Sequence, residues 1–438
     1  MSCAAEFEQK IKSKRAVIGV IGLGYAGLPL ALEFAAREYH VLGFDLDARK
    51  VEAINARRSY IKHIDAGRIG DRVERGFLEA TAEFARLKEA DAVIICVPTP
   101  LNENREPDLS FVRNTSKTVG SNFRRGQLIC LESTTYPGTT REVLLPELEK
   151  GGLKVGEDFF VCFSPEREDP NNKDFRTATI PKVVGGVTPA CLRCGQLLYD
   201  QITVRTVAVR SPEVAEAAKL LENIYRGVNI ALVNELKVVF DRMGVDIWEV
   251  IEAAATKPFG FHPFYPGPGL GGHCIPVDPF YLTWKAREYG VNTRFIELAG
   301  EVNLAMPEFV VQKTMDALND RRKSLNGSRL LILGVAYKKD VDDMRESPSL
   351  HLIDLFQRKG ARVDYHDPYI PELPPTRRYQ FKMRSVAIDP AALAPYDAVV
   401  VATDHSCLDY EEIIQASQLV IDTHNVGQGR RLPNLVKA

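Results

Sequence analysis

Short β-branched runs, almost free of charged residues, recur in the same order in two parts of the chain. The paired runs are VIGVIGLG and LLILG, DAVIICV and DAVVVA, and QLICLEST and LVIDTHN. Such runs are typical of parallel strands that are buried on both faces of a sheet. Helical patterns lie between them, as in residues 28–38 and 349–359, and the second strand of each part ends in an aspartate, Asp45 or Asp367. This alternation predicts two α/β domains, each an open, doubly wound parallel sheet.

A long helical pattern separates the two parts. Ser211-Pro212-Glu213 combines a capping side chain, a proline suited to the first turn and an acidic residue, which together predict a helix start. Apolar residues follow at helical spacing to about Met243, and Gly244 is a natural stop.

The predicted architecture follows from these elements. Two Rossmann-like domains, residues 1–205 and 320–438, are joined by the long central helix within a helical middle domain, residues 206–319. A helix of this length can join the two domains and also provide a dimer surface, so we expect a homodimer or a higher homo-oligomer formed through it.

The balance of charges excludes one broad class of function. The chain of 438 residues has 56 Lys and Arg against 58 Asp and Glu, a formal net charge of −2. A general nucleic-acid binder needs a marked basic excess, so nucleic acid is not an expected partner.

The apolar segments do not predict membrane insertion. The longest uncharged apolar stretch, residues 16–32, is shorter than the roughly 20 residues of a membrane-spanning helix, and it contains four glycines and a proline. Residues 1–15 are charged throughout and lack the apolar core of a signal peptide. We therefore expect a cytoplasmic protein.

A G-x-G-x-x-G motif directly follows the first apolar strand and opens a helical pattern. The residues expected to bind a cofactor here are Gly22, Gly24, Tyr25, Ala26 and Gly27. In this context the first glycine permits a tight turn, the second lets the backbone approach a pyrophosphate, and the third allows close helix–strand packing. The N–H groups that begin the helix would face the phosphates. A glycine turn that serves packing alone is the alternative.

Asp45 lies 18 residues after this motif, at the end of the second strand. We expect its carboxylate to bind a ribose diol and to repel a 2′-phosphate, which favours NAD over NADP. Two further strands end at the same edge, one followed by Val97, Pro98 and Thr99 and the other by Thr134. Ligands of such sheets bind outside the carboxyl ends of the strands, so these residues are predicted to contact the cofactor. Threonines that only cap turns are the alternative.

One of the eight cysteines stands apart from the others. Most lie in apolar runs that predict reduced core residues, and Cys191-Leu-Arg-Cys194 lacks the second pair that a zinc site needs, so no metal is predicted. Cys274 instead lies in PGPGLGGHCIPVDP, where glycines allow close backbone approach to a ligand and prolines restrain the loop. Composition alone is compatible with a nucleophile or with a structural residue. Asp278, four residues on, is placed to hydrogen-bond a water or a lysine.

Lys219 and Asn223 are four residues apart on the long helix and share one face. Such a pair can project toward a substrate carbonyl. The simpler explanation of the spacing alone is a solvated Lys219 that pairs with Glu216 or Glu222.

A nucleophilic cysteine in a dehydrogenase implies a specific chemical route. Hydride transfer turns an alcohol into an aldehyde, which a thiolate traps as a thiohemiacetal. A second hydride transfer gives a thioester, and water then releases an acid. A simple alcohol dehydrogenase needs no such cysteine.

Several segments along nearly the whole chain together carry a family resemblance. They are GLGYAGLPLA, CVPTPLNE, LESTTYPGTT, FSPERE, EAAKLLENIYRGVNIALVNEL, PGPGLGGHCIPVDP and KKDVDDMRESPS. In these segments the chain resembles the UDP-glucose/GDP-mannose dehydrogenase family. SYIKHI and KPFGFHPFYPGPGLGGHCIPVDPFYLTWKAREYG are most similar to its UDP-N-acetylglucosamine 6-dehydrogenase branch. The resemblance implies that two NAD⁺ oxidise the C6 alcohol of a nucleotide sugar to a carboxylate. It also implies that the first Rossmann-like domain binds NAD and that the last one binds the UDP-sugar.

The resemblance also implies catalytic roles. It makes Cys274 the nucleophile and places Lys219, Asn223 and Asp278 around the reacting carbon and its water. A protonated Lys219 with Asn223 would stabilise an oxyanion at C6. A Lys219 that lowers the basicity needed of a nearby water is the alternative.

Further site residues follow from the same resemblance. Thr134 matches a family threonine that helps to organise the water, and Glu166 matches a family glutamate implicated in acid/base work on the thioester step. Glu166, Lys219 and Asn223 are also expected to bind substrate. Lys338 and Arg345 match positions that bind the sugar diphosphate and reach toward the cofactor. The remaining expected substrate contacts are the loop glycines and the aromatic residues that border them: Gly267, Gly269, Gly271, Phe264 and Tyr265.

Two positions depart from the family pattern. Many relatives have a second glutamate four residues after Glu166, where this chain has Pro170, so that acidic role is left unassigned. His273 stands where relatives often have serine; adjacent residues usually point apart, so no Cys–His pair is expected.

The sequence leaves four functions open. The leading hypothesis is NAD-dependent four-electron oxidation of a UDP-N-acetylhexosamine, with UDP-GlcNAc first. The nearest alternative is the same chemistry on UDP-glucose, UDP-ManNAc or UDP-GalNAc. A two-electron, NAD-dependent hydroxy-acid dehydrogenase and a non-catalytic nucleotide-sugar sensor are the other two.

Overall fold

The computed structural model forms two compact units. It describes residues 2–62, 64–102, 106–167, 177–272, 274–376 and 378–438. The first unit comprises Met1–Glu222 and Phe280–Val291, and the second comprises Asn223–Pro279 and Asn292–Ala438. The two departures from the family pattern, at Pro170 and His273, lie outside the described residues.

The first unit is built on an eight-stranded sheet. Strands β1 to β8 are Val17–Ile21, His40–Phe44, Leu78–Thr81, Ala92–Ile95, Leu128–Leu131, Phe160–Phe163, Lys182–Gly186 and Thr206–Val209. Their order is β3-β2-β1-β4-β5-β6-β7-β8, and neighbours are parallel except for the antiparallel pair β6–β7. The described residues between β6 and β7 (164–167 and 177–181) contain no helix, whereas a parallel pair needs a long crossover. The predicted doubly wound parallel sheet is confirmed, with this one antiparallel neighbour added.

Helices cover the sheet of the first unit. Helices α1 to α7 are Cys3–Lys12, Gly27–Ala36, Ala48–Asn55, Ala66–Glu74, Ser110–Asn122, Leu145–Glu149 and Pro189–Tyr199, with a 3-10 helix at Phe84–Glu89 and a π-helix at Thr140–Leu144. The long helix α8, Pro212–Met243, has 32 residues and contributes residues to both units. Its start after Ser211 and its end before Gly244, which has a φ of +70°, match the sequence prediction.

The second unit contains a smaller sheet that is parallel throughout. Strands β9 to β13 are Arg329–Leu333, Arg362–His366, Ala398–Val401, Val420–Asp422 and Leu435–Lys437, in the order β10-β9-β11-β12-β13. The remaining helices, α9 to α14, are Ile247–Ala255, Asp278–Glu288, Arg294–Asn319, Pro348–Arg358, Pro390–Leu393 and Tyr410–Ala416, and most of α10 belongs to the first unit. The order β10-β9-β11-β12 repeats the order β2-β1-β4-β5 of the first sheet, which confirms the internal repeat.

Within the described part of the chain, no helix is both long and apolar enough to cross a membrane.

A buried carboxylate near the start of α8 holds the segment that follows β5. Glu216 accepts hydrogen bonds from the backbone N–H of Gly138 (2.6 Å), the backbone N–H of Thr140 (2.9 Å) and the hydroxyl of Thr140 (2.6 Å). These N–H groups begin a helical segment and have no acceptor within it. Burial raises the pKa of Glu216 to about 7, although the three hydrogen bonds act in the opposite direction.

Glu216→Ala should lower the free energy of unfolding by about 3 kcal/mol, because two buried N–H groups and a hydroxyl lose their acceptor. The pKa of Glu216 lies above its ordinary 4.5, so its stabilising contribution is complete below about pH 4.5 and is lost as the pH rises through about 7. The loss measured by urea denaturation should therefore be larger near pH 5 than near pH 8.

The matched control is Glu213→Ala on the same helix. Glu213 forms a partly exposed ion pair with Arg141, so its removal should cost less than about 1 kcal/mol. Equal losses in the two variants would contradict the anchoring role of Glu216.

Candidate active site

The glycine turn of the first unit leaves open space at the start of α2. Gly22 has a φ of +92°, and a Cβ atom added there would lie 2.6 Å from the carbonyl oxygen of Cys96. A Cβ atom at Gly27 would lie 1.8 Å from the carbonyl oxygen of Gly22, whereas one at Gly24 would meet no atom within 4 Å. The first and third glycines are thus required by packing, and the second leaves the room that a pyrophosphate needs beside a helix N-terminus.

Asp45 lies at the end of β2, next to this turn. Its buried carboxylate accepts hydrogen bonds from the N–H groups of Leu23 (2.9 Å) and Asp47 (2.9 Å) and lies 3.0 Å from Nζ of Lys50. The bond to Leu23 holds the acid at the glycine turn, where a ribose is expected. We did not predict the ion pair between Asp45 and Lys50 from the sequence. The presence of a basic residue in the first turn of α3 could have indicated it.

The other residues of the first unit that are predicted to contact the cofactor lie at the edge of the sheet formed by the carboxyl ends of the parallel strands. They are Tyr25 and Ala26 before α2, Val97, Pro98 and Thr99 after β4, and Thr134 after β5. The two loops are joined, because the hydroxyl of Ser133 donates a hydrogen bond to the carbonyl oxygen of Val97 at 2.8 Å. Thr99 is buried and Thr134 is half-buried. The open space at Gly24 and the carboxylate of Asp45 beside the glycine turn are the features of this edge that fit NAD.

A buried charge cluster at this edge was not predicted from the sequence either. Lys182, at the start of β7, places Nζ 3.0 Å from Oε2 of Glu132 and 3.9 Å from Oε2 of Glu166. The hydroxyl of Tyr199 donates to Glu132, and Lys182 lies over its ring at 5.0 Å. Burial raises the pKa of Glu132, with Lys182 opposing it. Burial disfavours the charged form of Lys182, yet the two glutamates raise its pKa above the ordinary value.

Lys219 is not the solvated surface residue of the simpler explanation. It is only 9% exposed. Glu216 is bonded to the segment after β5, and Glu222 forms an ion pair with Arg167 at 2.7 Å. Both acidic partners suggested for Lys219 are therefore engaged elsewhere. The interpretation of Lys219 as a solvated residue in a surface ion pair is wrong.

The second unit brings Asn223, Cys274 and Asp278 together. The carbonyl oxygen of Cys274 accepts hydrogen bonds from the N–H groups of Val277 (3.1 Å) and Asp278 (2.7 Å), so Cys274 lies one helical turn before α10. Asp278 is buried, and its carboxylate accepts a hydrogen bond of 2.6 Å from the side-chain amide of Asn223. Cys274 is exposed. An exposed cysteine next to a helix N-terminus is a candidate nucleophile.

The glycine loop before Cys274 packs against the segment that follows β9. A Cβ atom at Gly271 would lie 2.7 Å from the Cβ of Tyr337, and one at Gly272 would lie 2.9 Å from its ring. The N–H of Gly272 donates to the carbonyl oxygen of Arg345 at 3.0 Å. Gly269 has a φ of +137°, a conformation that other residues rarely adopt. This part of the loop therefore needs glycine for contacts within the protein.

The start of the loop is less crowded. The N–H of Gly267 donates to the side-chain oxygen of Asn234 at 3.0 Å, and a Cβ atom at Gly267 would approach only Nε2 of His424, at 3.7 Å, and a backbone oxygen at 4.0 Å. Phe264 packs on Tyr225 with ring centroids 5.7 Å apart, and Tyr265 is exposed.

The predicted phosphate-binding residues follow β9. Lys338 belongs to the turn after that strand. The guanidinium of Arg345 is paired with both carboxylate oxygens of Asp343, at distances between 2.6 and 3.0 Å. The sequence patterns did not predict this pairing.

The second sheet carries an acid at the position of Asp45, but its surroundings differ. Asp367 accepts hydrogen bonds from the N–H groups of Val335 (2.7 Å) and Ala336 (3.1 Å) and lies 3.1 Å from Nε2 of His405. Both side chains of the Asp367–His405 pair are fully buried. This acid is therefore closed to a ribose, in agreement with the absence of a G-x-G-x-x-G motif in this half.

Comparison with known families covers most of the chain. The models of the UDP-glucose/GDP-mannose dehydrogenase family match at residues 16–203 (NAD binding domain), 213–305 (central domain) and 331–429 (UDP binding domain).

Relatives and solved structures agree with this match. A UDP-N-acetyl-D-glucosamine 6-dehydrogenase of Pseudomonas aeruginosa is 36% identical over 394 residues, which cover 89% of this chain and 90% of that protein. A UDP-N-acetyl-D-mannosamine dehydrogenase of Pyrococcus horikoshii is 34% identical over 422 residues, 93% and 95% of the two chains. A solved structure of a UDP-D-ManNAc dehydrogenase from Pyrococcus horikoshii has a TM-score of 0.86 and 31% identity, covering 96% of this chain and 98% of that one. The chain therefore belongs to the UDP-glucose/GDP-mannose dehydrogenase family and is an NAD-dependent UDP-sugar dehydrogenase.

Proposed function

We propose that this chain oxidises the C6 alcohol of a UDP-N-acetylhexosamine to the uronic acid, with UDP-GlcNAc as the first candidate. The observation that carries the proposal is the exposed Cys274 one turn before α10, with the Asn223–Asp278 hydrogen bond at the start of that helix. The names of the relatives support an N-acetylated sugar, since they refer to N-acetylglucosamine, N-acetylmannosamine and N-acetylgalactosaminuronic acid. UDP-ManNAc and UDP-GalNAc are the nearest alternatives.

The proposed reaction balances as R–CH₂OH + 2 NAD⁺ + H₂O → R–COO⁻ + 2 NADH + 3 H⁺. When bound, NAD⁺ accepts a hydride in each of the two oxidations. The thiolate of Cys274 adds to the C6 aldehyde and forms a thiohemiacetal, which becomes a thioester when the second hydride leaves C6. Water then attacks the thioester, the C–S bond breaks, and the thiol is restored.

The surrounding residues are assigned roles that fit this sequence of steps. Asn223 orients the carboxylate of Asp278, which accepts protons during the cysteine chemistry. Lys219 stabilises the oxyanion at C6; its burial, with Glu216 and Glu222 engaged elsewhere, supports this role. Thr134 organises the attacking water, and Glu166 acts as acid and base in hydrolysis of the thioester. The substrate contacts expected at the glycine loop, Phe264, Tyr265, Lys338 and Arg345 stay predictions.

Cys274→Ala should abolish NADH production from UDP-GlcNAc, because no thioester can form, and Cys274→Ser should stall at a covalent adduct. The measurements are NADH absorbance and intact mass, and the wild type should release two NADH per sugar. Cys407→Ala is the matched control, since Cys407 is also an exposed cysteine of the second unit and its variant should retain full activity. Turnover by Cys274→Ala, or one NADH per sugar in the wild type, would rule out the thioester route in favour of a two-electron dehydrogenase.

Asp45→Ser should raise the ratio of kcat/KM for NADP to that for NAD about tenfold or more. The substitution removes the charge that repels a 2′-phosphate and leaves Lys50 free to attract it. Asp45→Ser combined with Lys50→Ala should lose the gain. Asp47→Ser is the control, because Asp47 is a half-buried cap of α3 paired with Arg49. An unchanged ratio in Asp45→Ser would mean that Asp45 does not bind the ribose.

We also propose a cytoplasmic homodimer formed through α8. The exposed apolar residues Tyr225, Leu232 and Val239 follow one another at intervals of seven residues, with Met243 one turn further on. An apolar stripe with this period is the pattern by which one helix packs on another. An isologous contact between two copies of α8 would bury the stripe of each copy.

Leu232→Glu should convert the dimer to a monomer, because Leu232 is 53% exposed at the centre of the stripe and the contact would bury its charge twice. Size-exclusion chromatography with light scattering measures the mass. Phe111→Glu, at an exposed apolar residue on α5, is the control that should leave the dimer intact. A dimer that survives Leu232→Glu would exclude this face of α8.

A further inference from the structure

The antiparallel strand β7 brings a buried lysine to the edge of the sheet where ligands bind. In the pair of β6 and β7, Phe163 lies opposite Gly185. Continuing that register for three residues places Glu166 opposite Lys182. Had β7 run parallel, its first residue would lie at the other edge of the sheet. The one exception to the parallel topology therefore sets a cation beside the glutamate assigned to thioester hydrolysis.

Lys182 is shared between two carboxylates in a buried setting. It is 4% exposed, and its Nζ lies 3.0 Å from Glu132, 3.9 Å from Glu166 and 3.3 Å from the carbonyl oxygen of Pro165. Glu132 is 2% exposed and also receives the hydroxyl of Tyr199. Because Lys182 carries one positive charge and faces two carboxylates, the negative charge of each carboxylate offsets the stabilisation that Lys182 gives to the other.

The segment around Glu166 is held on both sides. The backbone N–H of Arg167 donates to Oε1 of Glu166 at 2.7 Å. The guanidinium of Arg167 forms an ion pair with Glu222 on α8 at 2.7 Å and donates to the carbonyl oxygen of Pro181 at 2.7 Å. Glu166 is therefore fixed by its own neighbour on one oxygen and faces Lys182 with the other. Burying an ion pair costs desolvation free energy, which a pair of apolar side chains would not cost. Apolar residues could therefore hold β5, β6 and β7 together, and packing alone does not explain why Lys182 and the two glutamates are charged.

We propose that Lys182 is the positioning residue that holds Glu166 as a carboxylate for thioester hydrolysis, and that Glu132 limits the strength of this hold. The inference rests on the proposed role of Glu166. Lys182 acts through Glu166 and does not touch the substrate. Removing Lys182 takes away the positive charge that stabilises the carboxylate of Glu166. Removing the charge of Glu132 has the opposite effect, because the positive charge of Lys182 then acts on Glu166 alone.

The test is the pH dependence of kcat with saturating NAD and UDP-GlcNAc, from about pH 5 to about pH 9. In Lys182→Met the acidic limb should move up by about one pH unit, so kcat at pH values below the limb should fall about tenfold. The KM values should change less than about threefold, and intact mass should show a thioester accumulating on Cys274. In Glu132→Gln the acidic limb should move to lower pH. Lys182→Arg keeps the charge and should restore the profile of the wild type.

Lys285→Met is the matched control for loss of a buried lysine. Lys285 is 6% exposed and paired with Glu142 and Glu288 in the same unit, so its loss should lower the Tm without moving the acidic limb. The positioning role is overturned if the acidic limb stays in place in these variants. It is also overturned if the limb moves in the same direction in Lys182→Met and in Glu132→Gln. If Lys182→Met does not fold, Glu132→Gln decides alone, and the absence of a downward shift overturns the role. Failure of the proposed function is distinct from these outcomes, because it shows as one NADH per sugar, or none, in the wild type.

Discussion

A hydrogen bond from the turn after the first strand to an aspartate at the end of the second organises both sheets. Asp45 accepts the N–H of Leu23 in the first unit, and Asp367 accepts the N–H of Val335 in the second. Each bond satisfies a buried backbone donor and holds the turn against the neighbouring strand. In the first unit, the glycine turn, the start of α2 and the loops after β4 and β5 all lie along the edge that this contact defines.

The two sheets use the same framework for different purposes. In the first, the space at Gly24 is open and Asp45 is paired with Lys50. In the second, His405 completes a buried cluster around Asp367, and Ala336 and Lys339 stand at the positions of the second and third glycines. The difference lies in the side chains that surround a repeated backbone, which is how one fold serves a dinucleotide in one half and a nucleotide sugar in the other.

Ion pairs and hydrogen bonds at the candidate sites depend on contacts between elements that are far apart in the chain. Lys182 meets Glu132 across 50 residues, and Asn223 meets Asp278 across 55 residues. Sequence patterns name the residue types and the strand ends, but they do not give the direction of β7, which decides the edge at which Lys182 lies. Lys50 and Arg345 illustrate the same point at short range, because the partner of each cation depends on how a loop turns.

Periodicity alone was enough to predict the repeated strands, the long helix from Pro212 to Met243 and the glycine turn, because each depends on local patterns of burial or on backbone conformation. The isolated position of Cys274 in a glycine- and proline-rich loop was also visible in the chain. The tertiary structure decided which polar groups pair: it buried Lys219, engaged Glu216 and Glu222 with other partners, joined Asn223 to Asp278 and set Lys182 between two glutamates. The physical reason is that charge pairing depends on distance and burial in three dimensions, which strand direction and register determine and spacing along the chain does not.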